Sequence, residues 1–306
     1  MSFLLSIPGA IAQGILWSIM TLGVYLTFRL LNFADMTVDG SFATGGAIAA
    51  VAIIRGIDPL LALLLALLVG AVCGAATGFL NTELGIPALL SGILTEIALY
   101  SVNIHILGGP NVSLLNVGTV FTRVTSALGC SATVANVLIG LICTAVAVVV
   151  MYWFFGTEIG CAIRATGNNE YMVRAFGVNT KSMTMIGLIL SNAFVAFSGG
   201  LVAESQGYAD VGMGIGTIVI GLASLIIGEV LFGSRFNFAY KLCSVVVGSV
   251  IYRIIIAAVL YFGLPASDLK LLTAIIVAIA LAVPTLMKRI PGKATVLDEQ
   301  KTPVSK

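Results

Sequence analysis

The sequence predicts an all-α membrane protein, a polytopic helical bundle of about nine spans with its N-terminus outside and its C-terminus inside. Three observations carry this. First, 59% of the 306 residues are hydrophobic, only 9% are charged and the mean hydropathy is +1.12, whereas a soluble domain carries roughly 25% charged residues. Second, apolar runs of the roughly 20 residues that cross a hydrocarbon core recur from end to end. Third, Lys and Arg divide unevenly once those runs are laid out: Arg29, Arg164, Arg174, Lys181, Arg235, Lys241 and five residues from Lys288 onward fall inside, and Arg55, Arg123 and Lys270 fall outside.

The spans follow in order. The first, 10–29, has no basic segment before it and no small-residue cleavage pattern after it, so it is expected to remain as a span. The second, 37–54, opens TVDGSFATGGAIAAV and is short in bulky side chains. Spans three and four, 60–80 and 86–106, are conventional apolar runs; the fourth carries Thr95 and Glu96 and ends beside His105, which has no ligand set around it and reads as structural or interfacial. After a polar outside loop with Asn111, Asn116 and Arg123 comes span five, 132–155. Spans six and seven are 182–204 and 213–232, the latter reading MGIGTIVIGLASLIIG and again dominated by small residues. Span eight, 242–262, holds Arg253 near its middle; span nine is 269–287, and the tail 289–306 is expected to be disordered in the cytoplasm.

Small residues allow helices to approach closely and to break where protein or a cavity covers the backbone. Two such segments in the two halves of a chain point to a translocation path, although tight packing alone is the competing reading. The polar residues singled out for that path are Asp39, Ser41, Thr44, Thr95, Glu96 and Thr217. A charge within a span asks for a partner or water. Two readings of Glu96 stay open: an ion pair with Arg253, or a place on the pathway where it meets a cationic group of the solute.

Several function classes are excluded or weakened. A net charge of +2 offers no basic patch for nucleic acid. Cys73, Cys130, Cys143, Cys161 and Cys243 show no CxxC or Cys/His spacing, so no metal or disulfide framework is expected. There is no HExxH, no GxSxG and no phosphate-binding GxxxxGK[ST], so no catalytic residue is assigned and ATP is not bound by this chain.

The longest polar stretch between spans is the inside loop 156–181, GTEIGCAIRATGNNEYMVRAFGVNTK. Ile159 and Ile163 are one helical turn apart, Gly167-Asn168-Asn169 breaks the register, and Met172, Ala175 and Phe176 restart it. Asn168 or Asn169 can cap a second helix, Glu170 suits its first turn, and Gly177 suits a left-handed C-terminal position. The pattern predicts two short amphipathic helices, either lying in the membrane interface or docking into a soluble partner.

The string EIGCAIRATGNNEYMVRAFGVNTKSMTMIGLILSNAFVAFSGGL resembles the coupling-loop region of ATP-binding-cassette importer permeases of the branched-chain amino acid and ribose type, with Gly160, Ala165, Gly167, Asn169, Ala175, Gly177, Val178, Ser198, Gly199 and Gly200 in matching positions. Met172-Val173-Arg174 stands where that family often has small residues. NFADMTVDGSFATGGAIAA and LIIGEVLFGSRF extend the resemblance to most of 10–287. It implies a permease domain over 1–288 in a bacterial inner membrane, a second permease copy, cytoplasmic ATPase subunits that bind ATP-Mg, and an external binding protein. The outside loop is then either a docking surface for that protein or an ordinary solvated loop. Glu158, Gly160, Arg164, Ala165, Gly167, Asn169, Glu170, Arg174 and Gly177 are the residues implied to couple to the ATPase. The shorter N-terminus and the Asn32-Phe33-Ala34 start sit closer to the amino-acid members, and within them a hydrophobic or aromatic amino acid is the expected solute. The competing readings are a sugar or nucleoside importer, an ion-coupled secondary transporter, and, least supported, a membrane enzyme.

Overall fold

Eight helices long and apolar enough to cross a membrane form a bundle in the computed structural model, which describes residues 3–261 except 116 and 233–236, together with 271, 273–275 and 278. The ninth expected span, 269–287, is outside the described residues but for those last positions, and the tail 289–306 is wholly outside. Helix α1 spans Phe3–Val24 and continues as a π-helical turn, Tyr25–Leu30; α2 is Thr37–Ile54, α3 Pro59–Thr82 and α4 Ala88–Leu107. A short α5, Val120–Leu128, precedes α6, Ala132–Phe155; α7, Glu158–Asn168, and α8, Glu170–Ala175, precede α9, Thr180–Gln206. The last two described spans are α10, Thr217–Phe232, and α11, Phe238–Tyr261.

Local chemistry sets many of these boundaries. The Asp58 carboxylate accepts from the Leu60 N–H and Pro59 occupies the first turn of α3, while Ser131 and Asn179 cap α6 and α9 in the same way. Gly108 and Gly207 end α4 and α9 in the left-handed conformation.

Packing is carried by small residues. Helices α1, α2 and α9 form the centre, with Leu16, Ile19, Met20, Phe42, Leu188 and Leu201 fully buried. On α3, Gly70, Gly74 and Gly78 meet Asn192, Leu188 and Met185 of α9 in an antiparallel register, and at Gly70 and Gly74 the α9 backbone leaves no room for a Cβ. The outward faces of α3 and α6 instead expose Leu60, Leu64, Leu68, Val72, Leu141, Val146 and Val149, a surface suited to lipid. The protein is therefore a multi-pass membrane protein.

Contacts between loops agree with alternating spans. At one end, Arg123 of α5 pairs with Asp58 at 2.5 Å, and the strand Asn111–Ser113 pairs antiparallel with Tyr208–Asp210. At the other end, Arg29 pairs with Glu229 at 2.9 Å. The outside loop is thus more ordered than its polarity suggested: Thr119 and Thr122 form a capping box on α5, and Glu204 of α9 accepts from the Val120 N–H at 2.8 Å.

The guanidinium of Arg123, and then the Leu60 N–H, hold the Asp58 carboxyl below its ordinary 3.8. A carboxyl depressed on folding stabilises the fold above its unfolded pKa, and that contribution is lost as pH falls through the folded value. The link between the α3 start and α5 is therefore expected to be intact above 3.8 and to weaken in stronger acid. Thermal unfolding followed from about pH 6 to about pH 3 should show an acid-dependent component that Arg123→Gln reduces; an unchanged profile would show that the pair contributes nothing.

Two stretches of irregular backbone lie inside the bundle. Ser41, the fifth residue of α2, bonds to Asn192, the thirteenth residue of α9, so the first turn of α2 lies beside a point about 18 Å along its neighbour. Residues 31–36 therefore climb into the bundle as non-helical chain, with Leu31, Phe33 and Asp35 buried. The second stretch is the 3-10 turn Val211–Gly214, which abuts Asp39 and Ala43 of α2. It takes in Met213 and Gly214 of the expected seventh span, and α10 starts only at Thr217, after Gly216 at φ +87° has turned the chain.

Candidate functional site

A buried polar seam joins the broken segments. Asp35 Oδ1 accepts from the Thr37 N–H at 2.9 Å and its Oδ2 from Asn192 Nδ2 at 2.8 Å. The Asn192 amide oxygen, Oδ1, accepts from the Ser41 hydroxyl at 2.7 Å. A hydroxyl chain continues through Thr37 and Thr77, 2.5 Å apart, to Thr95 on α4, 3.0 Å from Thr77. Buried polar groups require such partners, and here they tie four helices, α2, α3, α4 and α9, to one another.

Asp39 performs a different task. Its carboxylate accepts from the Gly216 N–H at 2.7 Å, the Thr217 hydroxyl at 2.8 Å and the Ile218 N–H at 2.8 Å. Those donors open α10, so Asp39 caps a helix from 177 or more residues away and complements its positive end.

Beside this cap lies a cavity of about 350 Å3 lined by Asp39, Gly40, Ala43, Glu96, Ile97, Tyr100, Ser101, Asn103, Val211 and Ile215. Glu96 is the ninth of twenty residues in α4 and therefore sits at mid-span. The structure thus brings Asp39 and Glu96 to one cavity. It does not bring Ser41, Thr44, Thr95 or Thr217 there: all four are buried between helices, with their hydroxyls bonded to Asn192, Gly40 O, Ser91 O and Asp39. Hydroxyls on helices are readily satisfied by the turn below, which is why polarity alone did not mark the cavity wall.

The ion pair between Glu96 and Arg253 does not form among the described residues. Arg253 instead lies over Trp17 of α1, 3.8 Å from the ring centroid, and its Nε and Nη2 have no hydrogen-bond partner. Trp17 in turn packs on Phe42 at 4.9 Å. A desolvated guanidinium on an indole face gains about 2 kcal/mol, and Trp17 lies within reach of Arg253 because Ser249 bonds to Gly14 O and fixes the α1–α11 register.

The inside loop folds into the two expected helices. Thr157 caps α7, the Asn169 side chain caps α8 by accepting from the Met172 N–H, and Gly177 takes φ +82°. Helix α7 is fastened to several span ends. Gly167 lies so close to Leu30 and Leu31 that no Cβ fits, and Gly160 does the same against Phe154 and Phe155. Arg164 donates to Phe155 O at 2.9 Å and lies over the Phe238 ring of α11. Glu170 and Arg174 pair with each other, and both bond to the Thr180 hydroxyl at the start of α9.

The residues singled out in this loop therefore divide. Gly160, Arg164 and Gly167 face the bundle and Ala165 is half-buried, while Glu158, Asn169, Glu170, Arg174 and Gly177 are exposed. The apolar side chains at the tip carry the free surface: Tyr171 is 84% exposed, Phe176 79%, and Met172 and Ile159 are also exposed. Sequence reading passed over Tyr171 and Phe176 as binding residues, although aromatic side chains in a polar loop were the available signal. It also passed over Asp35, Asn192, Tyr100 and Asn103, which look unremarkable until the helices are assembled.

Residues 6–282 match the family described as branched-chain amino acid transport system, permease component. A tyrosine transport system permease protein of Clostridioides difficile (strain R20291) is 36% identical over 276 residues, covering 90% of each chain. An uncharacterised protein of Rickettsia prowazekii (strain Madrid E) is 30% identical over 277 residues, 89% of this chain and 95% of the relative. No solved structure matches the chain significantly.

Proposed function

Because this chain belongs to the branched-chain amino acid transport system permease family, we propose that it is the membrane-spanning subunit of an ATP-driven amino acid importer in a bacterial inner membrane. In this reading it works as a pair of permease copies with cytoplasmic ATPase subunits and an external binding protein. The observation that carries the coupling is the α7–α8 element. It presents Tyr171 and Phe176 outward at its tip while its other face is fixed to the ends of α1, α6, α9 and α11.

That arrangement suits a lever. Force applied at the tip through an apolar contact passes into the π-helical turn of α1 through Gly167 and Leu30, and into α9 through Arg174 and Thr180. Helix α9 carries Asn192, which holds the start of α2, and α2 carries Asp39, which holds the start of α10. Closure of a docked ATPase dimer would thus reach both broken segments without any covalent chemistry in this chain. Transport proteins place solute sites where helices are interrupted at mid-membrane, and one of the two interruptions here, the turn Val211–Gly214, borders the Asp39–Glu96 cavity through Val211. Similarity to a tyrosine permease supports an aromatic or other hydrophobic amino acid as the solute.

Co-purification of the tagged chain with an ATPase encoded beside it tests the coupling. Tyr171→Glu and Phe176→Glu, both at exposed positions, are expected to reduce ATPase capture at least about tenfold while the chain itself elutes as before. Retention of the ATPase by the double variant, with uptake driven by an ion gradient, would overturn the importer reading in favour of a secondary transporter.

A further inference from the structure

We infer that Glu96, Asn103 and Tyr100 form a subsite that recognises the protonated amino group and the polar end of the transported solute. The inference rests on the reading of the chain as an amino acid permease and assigns the solute's binding groups within it.

The argument starts from what each polar group in the cavity has left to give. Asp39 is largely committed, since three donors at the start of α10 already occupy its carboxylate. Glu96 has no hydrogen bond or ion pair among the described residues, and Arg253, well inside α11, is engaged with Trp17. Asn103, also on the cavity wall, is only 1% exposed, yet neither its Nδ2 nor its Oδ1 has a partner. Buried amides are almost always bonded, so an amide with both ends free is a strong departure. An acid at mid-span with no counter-charge is a second departure of the same kind.

A single occupant satisfies both. A cationic amino group supplies Glu96 with the charge that the chain does not, and an adjacent oxygen accepts from Asn103 Nδ2. The rest of the wall fixes the remainder of the ligand: Ile97, Ala43, Val211 and Ile215 are apolar, and Tyr100 offers an aromatic face. The volume of about 350 Å3 lies in the range of small-molecule sites. The chemical class indicated is an α-amino acid with an apolar or aromatic side chain, its ammonium at Glu96 and its carboxylate at Asn103.

Ligand-observed saturation-transfer NMR on the full chain in lipid nanodiscs tests this with three probes: L-tyrosine, tyramine, which lacks the carboxylate, and 3-(4-hydroxyphenyl)propionate, which lacks the amino group. The unaltered chain is expected to saturate tyrosine and tyramine but not the propionate. Glu96→Gln, which preserves shape, should reduce both positive signals at least about fivefold, and Asn103→Leu should reduce tyrosine while sparing tyramine. Size-exclusion elution of each variant reports whether it folds. A tyramine signal unchanged in Glu96→Gln, or a propionate signal equal to that of tyramine in the unaltered chain, would overturn the subsite. Equal loss of tyrosine and tyramine in Asn103→Leu would remove Asn103 from it. The coupling proposal stands or falls separately, on ATPase capture: ligand binding without capture leaves the subsite and removes the importer, and capture without ligand binding does the reverse.

Discussion

Gly45→Leu is expected to leave almost no folded protein, whereas Gly9→Leu is expected to be tolerated. Gly45 lies at the crossing of α2 and α9, where a Cβ would overlap the carbonyl oxygen, carbonyl carbon and Cα of Ala196. These are backbone atoms of a central helix, so they cannot rotate away as a side chain would. Separating α2 from α9 would also disturb the Ser41–Asn192–Asp35 bonds a turn below and the contact of Gly199 with Phe42 on the same seam. Overpacking of an interior commonly costs about 1–3 kcal/mol, and a clash against backbone belongs above that range, beyond about 3 kcal/mol. Gly9, by contrast, has nothing within 4 Å of an added Cβ. Yield of monodisperse protein by fluorescence-detected size exclusion reads the difference. Equal yields for the two variants would mean that α2 and α9 do not cross at this point.

Asp39→Ala is expected to release the start of α10 and to abolish transport. The carboxylate is the acceptor for three donors that have no other partner at that helix start, one from a hydroxyl and two from the backbone. Hydrogen bonds to a charged group contribute about 1.5–3 kcal/mol each, so loss of the set should destabilise by about 3 kcal/mol or more even after partial compensation. Asp39→Asn should not restore it. An amide keeps one oxygen but turns its NH2 toward one of the donors it must bind. Hydrogen exchange at the amides of Gly216 and Ile218 gives a local measure, expected to accelerate in both variants while amides of α9 stay protected. Protection unchanged at those two amides would show that α10 does not depend on the contact.

The two variants separate what the sequence could and could not disclose. The eight described spans are legible because each is a run of apolar residues ended by a local signal, such as Asp58-Pro59 before α3 or Gly108 after α4. The α7–α8 pair is legible for the same reason, since capping by Asn169 and the turn at Gly177 involve neighbours in the chain. The small-residue second and seventh spans lie next to the irregular stretches 31–36 and Val211–Gly214, but 37–54 itself is one continuous helix.

Partnership is what the sequence did not contain. Glu96 and Arg253 are the two mid-span charges, and opposite charges at similar depth invite pairing; only the α1–α11 crossing set by Ser249 and Gly14 shows Arg253 turned onto Trp17. Gly160 and Gly167 belong to the most distinctive motif in the chain, yet the structure gives them to packing against Phe154 and Leu30 and leaves the exposed tip to Tyr171 and Phe176. The pairing of Asp39 with Gly216, Thr217 and Ile218 joins residues about 180 positions apart, and no periodicity reports on contacts of that range. The sequence by itself determined that this is a bundle of apolar helices with a structured inside loop, because hydropathy, capping and turn chemistry act between near neighbours. Tertiary structure alone decided which polar side chain meets another helix and which meets a cavity, because in an apolar bundle that choice depends on the angle and register at which distant helices cross.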